Sequence, residues 1–61
     1  MTREELTVNR LRRAAGRVNE ASVRACEGRT LAAMEALRAA RADLDEAERY
    51  LLAGKREVNR D

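Results

Sequence analysis

Ala25-Cys26-Glu27-Gly28-Arg29-Thr30-Leu31, at the middle of a 61-residue chain, decides how the rest folds. Gly28 suits the left-handed residue that ends a helix. Thr30 suits the cap that begins the next. On each side of this stretch runs a heptad line of alternating three- and four-residue steps. Downstream it reads Ala33, Leu37, Ala40, Leu44, Ala47, Leu51, Gly54, Val58, with large aliphatic and small residues in alternation. Upstream it reads Val8, Leu11, Ala15, Val18, Ser22, Ala25, again a mixture of aliphatic and small. Continued past Ala25, the upstream line meets Arg29 and Asp43 and loses its apolar character, because the downstream line runs one residue later. The change of phase falls on residues 27–30.

Composition agrees with helix everywhere. Ala, Arg, Glu and Leu dominate, all strong helix formers, and there is no Pro. The expectation is therefore an all-α chain forming one unit over residues 1–61, an antiparallel helical hairpin. Helix one is expected over about residues 3–27, a tight turn at 28–29, and helix two over about 31–58, since so short a connection forces the helices antiparallel. The rival is one continuous helix paired in a long parallel coiled coil, because a lone Gly costs a helix only about 1 kcal/mol. That rival places Arg29 on the seam. The helix-packing seam is expected to comprise Val8, Leu11, Ala15, Val18, Ser22 and Ala25 against Ala33, Leu37, Ala40, Leu44, Ala47, Leu51 and Val58. Small residues at alternate seam positions let two backbones approach closely. On this reading Leu44→Asp abolishes the fold.

With the turn near residue 28, residue i faces roughly residue 57 − i of the other helix. This places Val23 and Cys26 near Leu31 and Met34 at the closed end, and Leu6 near Tyr50 and Leu52 at the open end. A hairpin has a core one layer thick, and a chain of 61 residues alone buries little. A homodimer forming an antiparallel four-helix bundle is the economical expectation. In length, turn position and seam the outline is similar to the Rop-type helical hairpins, a resemblance that implies a four-helix-bundle dimer and RNA binding. It is also similar to the small hairpin co-chaperones of type III secretion.

The chain carries 13 basic and 11 acidic side chains, for a net charge of +2. Arg10, Arg17 and Arg24 recur every seven residues, with Arg13 beside them. Guanidinium forks match phosphate oxygens, so this stripe is a candidate phosphate track. Its simpler reading is as ion pairs across the hairpin with the acidic run Asp43, Asp45, Glu46 and Glu48, which lies level with Arg10 to Arg17. Along single helices, Glu20 is expected to pair with Arg24, Arg41 with Asp45, and Asp45 with Arg49. The acidic run lacks the glycine and spacing of a calcium loop. Cys26 is expected to be a small buried residue. Tyr50, flanked by Leu51 and Leu52, makes an apolar ledge suited to a partner.

No His and a single Cys leave no nucleophile–base pair and no ordinary zinc site. One aromatic gives no base-stacking platform. The expectation is therefore no enzyme, with no catalytic, metal-binding or cofactor-binding residues and no cofactor. The lone Cys26, the polar start of the chain and the lack of a long apolar run point to a cytoplasmic protein that does not enter membranes. The excess of Arg over Lys and of Ala suggests a GC-rich genome, bacterial or phage. The leading expectation is a small adaptor, regulator or inhibitor that binds itself and another protein. Its candidate partner-binding residues are Leu6, Tyr50, Leu52, Arg10, Arg13, Arg17 and Arg24. The alternatives are an RNA-binding dimer using the Arg stripe and a secretion-type co-chaperone.

Overall fold

The computed structural model describes residues 2–58, with side chains through Lys55. It contains two α-helices, α1 over Arg3–Cys26 and α2 over Thr30–Val58, folded back on one another as a hairpin of 52 × 16 × 12 Å. The hairpin replaces the continuous-rod alternative.

Local chemistry accounts for each boundary. The Thr2 hydroxyl accepts the Glu5 amide at 3.2 Å and donates to the Glu5 carboxylate at 3.2 Å, using the Thr-x-x-Glu spacing of a capping box. At the other end of α1, the Arg29 amide donates to the Arg24 carbonyl at 2.9 Å and the Gly28 amide to the Ala25 carbonyl at 3.0 Å. This is the Schellman pattern, and it requires a left-handed residue after the cap. Gly28 supplies it with φ +76°. The first bond of α2 runs from the Ala33 amide to the Arg29 carbonyl at 2.9 Å. Arg29 is therefore the cap residue of α2, and Thr30 sits one place inside the helix.

The contact between the helices differs from the expected seam. Its buried residues are Thr7, Ala14 and Ala21 of α1 and Ala33, Ala36, Ala40, Asp43 and Ala47 of α2. In α1 this line lies one residue ahead of the expected one. Val8, Leu11, Ala15, Val18, Ser22 and Ala25 are all exposed. In α2 the small positions Ala33, Ala40 and Ala47 are buried, but Leu37, Leu44 and Leu51 are 41%, 45% and 59% exposed. Ala36 and Asp43 take the inner places that Leu37 and Leu44 were expected to fill. Val58 lies outside the residues whose side chains are described.

The physical reason is the width of the apolar stripe. Neighbouring lines on a helix are about 100° apart, and the apolar stripe of an amphipathic helix is at least that wide. The hairpin packs on the small-residue edge of each stripe, where the backbones approach closely, and leaves the aliphatic edge outside. The inner line is polar where it must be. Thr7 satisfies its buried hydroxyl by donating to the Arg3 carbonyl at 2.8 Å. The same displacement turns Cys26 outward, so it is exposed rather than buried.

Candidate protein-interaction face

Asp43 joins the two helices at the middle of the hairpin. It is 5% exposed, and its carboxylate accepts Arg10 Nη1 at 3.2 Å and Arg17 Nε at 2.8 Å. Its two partners stand one heptad apart, so Asp43 lies level with Ala14 midway between them. Arg24 donates to the Ala32 carbonyl at 3.0 Å, and the Arg3 side chain lies against Gly54 at the open end. Taken together these contacts place residue i opposite roughly residue 57 − i. The hydrogen bond that Arg10 donates to Asp43, with Tyr50 nearby, holds the Arg10 guanidinium above its already high range, against partial removal from water. The stability this contributes is complete below the unfolded value and is lost only as the pH rises through the folded one. Arg10 therefore adds no pH dependence in the neutral range.

The Arg stripe is thus divided. Arg10 and Arg17 are drawn to Asp43, while Arg24 pairs with Glu20 and with the α2 backbone. Arg13 is exposed. Of the acidic run only Asp43 bridges the helices. Glu46 pairs with Arg49 at 3.6 Å, in place of the expected Asp45–Arg49 pair, and accepts the Tyr50 hydroxyl at 3.4 Å. Asp45 and Glu48 are exposed. Among the described residues no group of three His, Cys, Asp or Glu side chains is placed to hold a metal ion. No described helix is long and apolar enough to cross a membrane.

The aliphatic residues make the most distinctive surface. Among the described residues no large apolar side chain is fully buried, and the buried hydrophobic residues are all alanines. Val8, Leu11 and Val18 of α1 and Met34, Leu37, Leu44 and Leu51 of α2 each follow an inner residue by one position. In an antiparallel pair, a step of one residue forward turns both helices toward the same side. These side chains therefore share one face of the hairpin. At the open end the face hollows into a groove of about 570 Å³, lined by Val8, Leu11, Tyr50, Leu51 and Gly54 among others. Arg3, Glu4 and Thr7 complete its lining.

The expected ledge is only partly assembled. Tyr50 is half-buried and lines the groove, whereas Leu6 and Leu52 are exposed and do not line it. Sequence reasoning named Val8, Leu11, Leu37, Leu44 and Leu51 but gave them the inner contact. It missed the inner line Thr7, Arg10, Ala14, Arg17, Ala21. The signal for that line was present, since Asp43 is a lone acid on an otherwise apolar helical spacing (Ala36, Ala40, Ala47). Such a residue needs a cationic partner across the contact. Comparison of the chain with protein-family models, with curated proteins and with solved structures returns no match to any of them.

Proposed function

We propose that the chain is a non-enzymatic protein–protein interaction module of the cytoplasm, and that it acts through the aliphatic face of the hairpin. The face is half of a four-helix bundle, and two further helices complete it. A second copy is the economical source of those helices. The observation that carries this reading is the gathering of Val8, Leu11, Val18, Met34, Leu37, Leu44 and Leu51 on one exposed side, over a contact built from alanine. Large apolar patches are rare on monomeric proteins and mark interaction sites.

The Arg stripe supports the alternative of RNA binding less well. Two of its members share one buried carboxylate and a third is engaged locally. A helix-binding role agrees better with where the apolar area lies. Sedimentation equilibrium over a wide concentration range tests the reading. The mass is expected to rise from that of one chain to that of two, and Leu44→Asp is expected to hold it at one. A wild-type chain that stays single and fully helical at every concentration, with a melting temperature unaffected by Leu44→Asp, would refute it.

A further inference from the structure

The aliphatic face is self-complementary when a second hairpin is laid on it end for end. On the scale of α2, with residue i of α1 placed at 57 − i, Val8 and Val18 stand equally far from Leu44 on opposite sides. So do Leu11 and Ala15, Leu37 and Leu51, and Met34 and Gly54. We propose that a second copy of this chain occupies the face, its closed end over the open end of the first, with the two-fold axis passing level with Leu44. This proposal rests on the reading above and specifies its partner and geometry.

Three observations carry it. The first is the match of shapes. Rotation about that axis brings Met34 of the second copy level with Gly54, at the groove lined by Val8, Leu11 and Leu51. A flexible Met suits an irregular apolar space. It also sets the larger Leu11 against the smaller Ala15, and Leu37 against Leu51. The second is charge. The line Met34, Leu37, Arg41, Leu44, Glu48, Leu51 carries one cation and one anion, both exposed, on either side of Leu44. End-for-end docking brings Arg41 within one residue of the level of Glu48 of the second copy, and the symmetry makes two such pairs. Docking with both closed ends together places Arg41 over the apolar stretch near Val18 instead. The third is area. The chain exposes 4931 Å², whereas a compact protein of 6.9 kDa exposes about 4000 Å². The difference is close to the ~800 Å² that each partner buries in a standard interface.

The native Cys26 provides the test. It is free, exposed and at the closed end. A nitroxide label on Cys26 of the otherwise unaltered chain reports the distance between copies by pulsed dipolar spectroscopy. Cys26 lies level with residue 31, thirteen residues from the axis. At 1.5 Å per residue, end-for-end docking separates the two labels by about 40 Å. Closed ends together would set them within about 20 Å. A distance near 40 Å that weakens on dilution with unlabelled chain supports the proposal. A short distance overturns the arrangement but keeps the bundle. A single-chain mass with no distance between copies overturns both.

Charge variants give a second readout that leaves the inner seam intact. Arg41→Glu and Glu48→Arg are each expected to weaken dimerisation by up to about tenfold, and the two together to restore it. Additive weakening in the double variant would place these residues apart and overturn the arrangement.

Discussion

Asp43 is the residue on which the hairpin contact turns. A carboxylate buried among alanines is costly unless its oxygens are occupied, and here two guanidinium groups occupy them. Both arginines keep about a third or more of their side chains in water. The pairs are therefore worth less as attraction than as specification. The turn at Gly28 already sets how far along one another the helices lie. What Asp43 specifies is the edge of α1 that turns inward, since that edge carries Arg10 and Arg17. Asp43→Ala is expected to lower stability by about 1–2 kcal/mol, a fall in melting temperature on the order of 10 °C followed by circular dichroism. Asp43→Leu, which fills the space without the charge, is expected to recover part of the loss, as replacements of buried ionic groups often do.

At the scale of the elements, the same substitution has opposite signs at two glycines. Gly16 lies within α1 with nothing within 4 Å of an added Cβ, so Gly16→Ala is expected to stabilise the hairpin by about 0.5–1 kcal/mol. Gly28 also has open space around it, but its φ of +76° strains any other residue. Gly28→Ala is expected to cost about 1 kcal/mol through the backbone alone. Thermal melts of the two variants beside the wild type check both signs. The start of α1 supplies a third case. Thr2→Ala removes the acceptor of the Glu5 amide and is expected to cost about 1 kcal/mol, with the loss confined to the first turn in amide exchange.

For the whole molecule, stability and association are expected to be one measurement. The hairpin holds itself together with alanine contacts and the charged contacts of Arg10, Arg17 and Arg24, and much of its aliphatic area faces outward. The melting temperature is therefore expected to rise with protein concentration, as mass action requires of a chain whose partner binds only the folded form. Leu44→Asp is expected to remove that dependence. It alters the outer face and leaves the inner contact unchanged, so it is not the fold-breaking substitution that the expected seam implied. The inner counterpart is Ala47, which is 1% exposed. Ala47→Leu forces the backbones apart and is expected to cost about 1–3 kcal/mol at every concentration, a separation of effects readable from melts at two concentrations.

The sequence by itself determined the helices, the turn and the register. Gly28 is the residue that can close α1 in the left-handed conformation, the heptad lines change phase there, and so short a turn sets residue i against 57 − i. Those are local or nearly local constraints, and they are written in single residues. The angle at which each helix meets its neighbour was decided by tertiary structure. Thr7, Ala14 and Ala21 share one apolar stripe with Val8, Leu11, Ala15 and Val18, and periodicity alone gives the stripe without saying which edge turns inward. The decision belongs to contacts distant in sequence: alanines that let backbones close up, and Asp43, which only the edge carrying Arg10 and Arg17 can neutralise. Once that edge is inside, Val8, Leu11, Val18, Leu37, Leu44 and Leu51 turn outward together, and they form the face through which the molecule is proposed to act.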